Sequence, residues 1–234
     1  MVDVIKEYAP KPLDMAPEAY AQALKAPQLY KQIYELGDGH RRSRLLTGSI
    51  VRAMRGRVDE MLTEHPADII VSTFHFANAP VLDGIERHGY KIPFINIVTD
   101  MVTIPPVWFD PRATLTVVPT EPALHQAILA GIPSEQLRQI GLPASPRFAP
   151  VADKTVLRQQ LGWPANLPVV LLMAGGAGVG PLGSLAKAVI TSGVDALPVI
   201  VTGKNRQLAT RLRNEKWASS AMIYEFVDNI ATFM

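Results

Sequence analysis

Between Arg158 and Lys187 the chain carries no charge, and within that stretch the run VVLLM (169–173) leads straight into AGGAGVGPLG. To cross a membrane as a helix, a segment of this length would need roughly 20 apolar residues in helical conformation. Pro168, Pro181 and the five glycines between positions 175 and 183 break a helix through its centre. The pattern allows a buried strand, a glycine turn and a buried helix opened by Pro181.

The same logic continues downstream. Strand 168–173, helix 181–192, strand 197–202, the turn GKN, helix 206–215 and strand 222–227 read as βαβαβ, which implies a parallel sheet covered on both faces. Upstream, ADIIVS (67–72), PFINIV (93–98) and TLTVV (114–118) predict strands, with helices near 77–87 and 121–130, so a second parallel sheet is expected. Between the halves, LPASPRFAPVAD (142–153) holds Pro143, Pro146 and Pro150, and reads as an extended linker. Domains are therefore expected over 1–148 and 149–234.

The first 65 residues differ. Pro17 and Pro27 suit the first turns of short helices ending near Lys25 and Leu36, before Gly37. HRRSRLLTGSIVRAMRGRV (40–58) has six arginines and no acid. It reads either as a solvated basic helix face or as a contact with anionic lipid headgroups.

At 234 residues and 48% hydrophobic content the chain can bury one large core or two small ones. A formal charge of +2 with no aromatics interleaved in a basic patch gives no footprint for nucleic acid. The lack of cysteine removes disulfides and thiolate metal sites. No histidine pair has metal-ligand spacing, so no metal site is expected, and no motif in the chain calls for a cofactor. The opening VDVIKEYAPKPLD has no apolar core of signal-peptide length.

The glycine loop is not a Walker loop, because Gly180 is followed by Pro181 and Leu182 rather than Lys and Ser or Thr. Nor is it a dinucleotide fingerprint, since counting from Gly176 and Gly178 puts Pro181 at the third glycine position. There remain bare backbone amides and a proline-started helix whose dipole points over the loop, a geometry suited to a diphosphate. A structural glycine turn is the alternative. Gly203, Lys204 and Asn205 follow the next strand and should sit beside the loop, although Asn205 also suits a plain helix cap. By the same rule His75 and Asp100 fall at the carboxyl ends of upstream strands, the ligand-binding edge of their sheet. A surface histidine and a helix-capping aspartate are the bland readings of this pair.

Taken in order, ADIIVSTFHFANAP, PFINIVTDMVTIPPVWFDP, GLPASPRF, LLMAGGAGVGPL and VTGKN resemble successive blocks of the monogalactosyldiacylglycerol synthase and processive diacylglycerol glucosyltransferase group, which lies in the wider family of the peptidoglycan N-acetylglucosaminyltransferase. The resemblance implies an α/β chain of GT-B type, with two Rossmann-like domains facing a cleft. The donor would be UDP-galactose or UDP-glucose, held by Gly175, Gly176, Gly178, Val179, Gly180, Pro181, Gly203, Asn205 and Phe226. The acceptor would be diacylglycerol on the side of Asn78 and Trp108, with His75 and Asp100 as catalytic candidates. Transfer would take place at the cytoplasmic face of a membrane, by a peripheral protein.

Three departures stand out. The group's glycine-rich loop ending in histidine would precede Met1, and its GPxTxxEA-type donor segment would follow Met234, so an internal piece of a longer protein with both domains incomplete is expected. Where the group commonly has His before ProXxxTrp, TIPPVWF places Pro105. A peptidoglycan-type transferase, a sugar-nucleotide epimerase and a non-catalytic sugar-nucleotide or lipid-binding module are the other readings.

Overall fold

The computed structural model describes residues 1–11, 13–15, 40–149, 153–176, 178, 180–217 and 220–234, with backbone alone at 13 and 40–46. They form two compact units, Met1–Pro143 and Ala144–Met234. The short helices expected to end near Lys25 and Leu36 lie outside the described residues.

The first unit holds a four-stranded parallel sheet, β1 (Ile70–Ser72), β2 (Phe94–Ile97), β3 (Leu115–Val118) and β4 (Leu137–Gln139), in sequential order. Its helices are α1 (His40–Glu64), α2 (His75–Arg87) and α3 (Glu121–Leu129). On α1 the buried residues Met54, Val58, Met61 and Leu62 recur at helical spacing and form the stripe that meets α2. Gly84 of α2 permits that contact, because a Cβ there would lie 2.7 Å from Val58 Cγ1. Phe94, Asn96 and Val98 are buried in alternation along β2, so one face of the strand looks into the core.

The chain opens in a helical turn at Val4–Tyr8. Asp3 accepts a hydrogen bond from the Lys6 amide and the Glu7 carboxylate accepts one from the Asp3 amide, a reciprocal cap that holds the turn. β4 was not legible as a strand, since LRQ is short and polar and is set only by its pairing with β3.

The second unit holds a three-stranded parallel sheet, β5 (Val169–Met173), β6 (Leu197–Val201) and β7 (Met222–Tyr224), with α4 (Lys154–Gln160), α5 (Leu182–Thr191) and α6 (Arg206–Arg213). Leu182, Ala186, Leu208 and Leu212 pack with Ile200 in one cluster, while Trp163 packs with Leu197 and Val199 in another. The central strand β6 is therefore buried at every position, as a continuous apolar run requires. Pro198 is tolerated there for a geometric reason. The Leu197 amide bonds towards β5 and the Thr202 amide towards β7, so Pro198 lacks its donor on the β7 side, where pairing begins only at Val199. Helix α4, capped by Asp153 on the Thr155 and Val156 amides, begins where the linker was expected to end.

Candidate active site residues

In the second unit the glycine loop follows β5 and leads into α5, with Pro181 as N-cap rather than first helical residue. Gly175, Gly178 and Gly180 have φ of +64°, +62° and +152°, and Gly203 of the neighbouring turn has +58°. The two turns are locked together. The Lys204 amide donates to the Gly176 carbonyl (2.8 Å), and Asn205 Nδ2 donates to the Gly178 carbonyl (3.0 Å). A Cβ on Gly178 would fall 1.8 Å from the Thr202 carbonyl oxygen, and one on Gly203 would fall 2.5 Å from the Gly176 carbonyl oxygen.

These two glycines thus serve the approach of one turn to the other, a reason the sequence reading attached to a ligand. Gly176 differs, because its φ is ordinary and a Cβ there would meet nothing within 4 Å. No contact inside the described chain demands a glycine at that position. Asn205 is the helix cap that the sequence allowed, its Oδ1 accepting from the Leu208 amide (3.0 Å), and its side-chain amide also holds the loop. Phe226 is 53% exposed, with Lys204 Nζ 5.8 Å from its ring centroid. Val179 lies outside the described residues.

In the first unit, β1 ends at Ser72 and His75 opens α2, which puts the imidazole at the carboxyl edge of the sheet. Its ring centroid lies 4.1 Å from that of Phe76, 5.1 Å from Trp108 and 5.2 Å from Phe74. Burial among these rings pushes the imidazole down to about 4, against the pull of the Asp100 charge. It is therefore neutral at physiological pH and available to accept a proton, though as a weak base. Asp100 accepts a hydrogen bond from Trp108 Nε1 at 2.7 Å. The loop that carries Asp100 is pinned to α3, where the Thr120 hydroxyl donates to the Met101 carbonyl, Gln126 Nε2 donates to the Val102 carbonyl and Gln126 Oε1 accepts from the Ile104 amide (3.0 Å).

Asn78 and Trp108, expected on the acceptor side, are buried at 1% and 2% exposure and stand behind the edge rather than on it. Asn78 spends its polar atoms internally, on Ser72, Asn96 and the Trp108 carbonyl. Sequence reasoning missed Asn96, although an amide in the middle of the apolar run FINI is a buried polar group that must find partners. Pro105 stands before the short turn Pro106–Trp108 that presents the indole.

Among the described residues there is no group of three or more His, Cys, Asp or Glu that could hold a metal ion. Nor is any helix among them long and apolar enough to cross a membrane. Of the six arginines in the basic run, Arg41, Arg42 and Arg44 have side chains outside the described residues. Arg55 lies 3.6 Å from Asp83 and Arg57 3.1 Å from Glu60, so these two have acidic partners on the protein surface.

Comparison with known proteins bears on both units. The family model for monogalactosyldiacylglycerol (MGDG) synthase matches residues 1–144. A Glycine max protein named as a probable chloroplastic monogalactosyldiacylglycerol synthase is 30% identical over the whole of this chain, which covers 46% of it. The chloroplastic monogalactosyldiacylglycerol synthase of Spinacia oleracea is also 30% identical, with 100% of this chain and 47% of that protein covered. The chain thus spans about half the length of the curated relatives it matches. Among solved structures, Anabaena HepE in complex with UDP and glucose superposes with a TM-score of 0.51 at 18% identity, over 76% of this chain and 53% of that one. A glycosyltransferase from Rickettsia africae gives 0.52 at 12% identity, over 88% and 59%. These likenesses place the parallel α/β units in the GT-B glycosyltransferase fold.

Proposed function

The chain belongs to the monogalactosyldiacylglycerol synthase family, and from that premise we propose that the protein containing it transfers galactose from UDP-galactose to the hydroxyl of diacylglycerol. The match of the family model across residues 1–144 carries this reading. The acceptor oxygen attacks the anomeric carbon, the bond from that carbon to the diphosphate breaks, and UDP leaves as the β-glycoside forms. The acceptor proton needs a base, and the departing UDP needs stabilisation of its growing charge.

The two units suit these tasks by different means. Backbone amides of the Gly175–Gly180 loop, the N-terminus of α5 and the Gly203–Asn205 turn form the donor site, with Phe226 beside the nucleotide. In support, HepE of the same fold was solved with UDP and glucose. The neutral His75 assists acceptor deprotonation or holds the hydroxyl, and Asp100 steadies the positive charge that His75 takes up. The nucleotide sugar is a substrate, and the reading calls for no cofactor. Transfer takes place at a membrane surface, on its cytoplasmic side, by a peripheral protein whose acceptor is a lipid.

The test uses the longest natural gene product that contains this chain, given vesicles with diacylglycerol and labelled UDP-galactose or UDP-glucose. Labelled monogalactosyl lipid is the expected product. Incorporation of glucose alone would change the donor assignment. No glycolipid from either donor would overturn the reading.

A further inference from the structure

Ser72, Asn96 and Thr116 occupy matching register positions on β1, β2 and β3, and so form a polar row across the first three strands one residue before β2 ends. Asn96 and Thr116 are buried at 1% and 0% exposure. The Thr116 hydroxyl finds no partner among the described residues, yet the Asn96 amide does not turn to it. Asn96 Nδ2 instead donates to the Trp108 carbonyl at 2.7 Å, and Asn78 Nδ2 reaches the same carbonyl at 3.3 Å. The two amides are joined, since Asn78 Nδ2 also donates to Asn96 Oδ1 at 3.0 Å, and Asn78 Oδ1 accepts from the Ser72 hydroxyl at 2.6 Å. A polar cluster of this kind is costly to bury unless its members satisfy one another, and when satisfied it fixes one arrangement of its surroundings.

What it fixes is Trp108. The tryptophan lies in a three-residue turn that has no side-chain N-cap bond of its own, and its indole makes two contacts at the sheet edge. Its N–H holds the Asp100 carboxylate at 2.7 Å and its ring stands 5.1 Å from the His75 ring. We infer that Asn96 is a positioning residue for the His75 and Asp100 pair: with Asn78 it grips the Trp108 carbonyl, and so sets the indole that orients Asp100 and backs His75. The inference rests on the acceptor-side reading of His75 and Asp100 given above. Asn96 acts through Trp108 and touches no substrate. A leucine of similar size would fill the same core volume, but it would remove the shorter of the two bonds to the Trp108 carbonyl and the oxygen that accepts from Asn78 Nδ2, leaving Asn78 alone to hold that carbonyl at 3.3 Å.

The experiment compares wild type with Asn96→Ala in the longest natural gene product, using 1H–15N spectra of the tryptophan indoles together with the His75 titration. Trp163 and Trp217 donate to the Tyr224 hydroxyl and the Leu212 carbonyl in the other unit, so their indole signals report whether that unit stays folded. The Trp108 indole signal should move away from its carboxylate-bound position while the other two stay. The His75 midpoint should rise from about 4 towards the ordinary 6.5 as its box loosens. Turnover should fall about tenfold or more with the KM for UDP-sugar unchanged.

Should the alanine variant fail to fold, Asn96→Thr keeps a strand-compatible side chain whose hydroxyl is too short to hold the Trp108 carbonyl, and the same shifts are expected. Trp108 and His75 signals unchanged in a folded variant would overturn the inference, whatever the activity. Signals that move with turnover unaffected would leave the scaffold in place and overturn the acceptor-side role of the pair.

Discussion

The carboxyl edges of the two sheets build their candidate sites from different material. In the second unit the site is made of backbone. Glycines with positive φ bring one turn against another, and the carbonyls of Gly176 and Gly178 are tied down by Lys204 and Asn205. In the first unit it is made of side chains, with a neutral imidazole among three aromatic rings, a carboxylate held by an indole, and two buried amides behind them. The contrast suits the chemistry proposed. A diphosphate is bound by fixed amides and a helix dipole that need no particular side chain, whereas moving a proton needs a titratable group whose environment sets its basicity.

The sharpest way to break the comparison is at Gly178. Gly178→Ala should destabilise the second unit by roughly 2 kcal/mol or more, because the new Cβ meets the Thr202 carbonyl and the backbone sits at φ +62°. A denaturant midpoint equal to wild type would show that the two turns are not locked as described.

Almost as large an effect is expected on the other edge. His75→Ala should lower turnover about 100-fold while leaving UDP affinity intact. A variant that keeps its kcat would make His75 a packing residue and move the base elsewhere.

A smaller change separates ligand contact from internal packing. At Gly176 a methyl group meets open space, so Gly176→Ala should leave the denaturant midpoint near wild type and weaken UDP binding about tenfold by crowding the diphosphate. Unchanged affinity would remove this position from the donor site.

The pH dependence is the most gradual signature. Burial holds the folded His75 near 4, whereas the unfolded chain takes up the proton near 6.5. This group therefore costs no stability above 6.5, costs progressively more as pH falls from 6.5 to about 4, and adds no further cost below that. The acid limb of kcat/KM should accordingly lie near 4. A limb near 6.5 that disappears in His75→Gln would mean that the imidazole is solvated during turnover.

Legibility in the sequence follows the same division. The second unit could be read locally, since AGGAGVGPL and VTGKN each carry their own punctuation and adjoin unbroken apolar strands. Strands 169–173 and 197–201 consequently fell within a residue of their expected ends. Asn205 was readable as a cap because capping is a short-range rule. The first unit could be read only in part. The positions of His75 and Asp100 at the sheet edge follow from the rule that ligands gather at the carboxyl ends of parallel strands, and the structure has both residues there. Asn96 was not, because its meaning depends on Trp108 twelve residues away. Similarly, β4 is a strand only because β3 lies beside it, and Val4–Tyr8 turns helical through a cap too short to show as a period.

Titrating UDP into the isotope-labelled natural gene product and mapping the shifts tests whether nucleotide is held by the backbone of the second unit and the acceptor by side chains of the first. Perturbed amides are expected at Gly175, Gly176 and Lys204 with a perturbed Phe226 ring, and the His75 ring and the Trp108 indole should stay unmoved until diacylglycerol is added. Shifts from UDP alone that centre on His75 and Trp108 and spare the glycine loop would contradict this assignment.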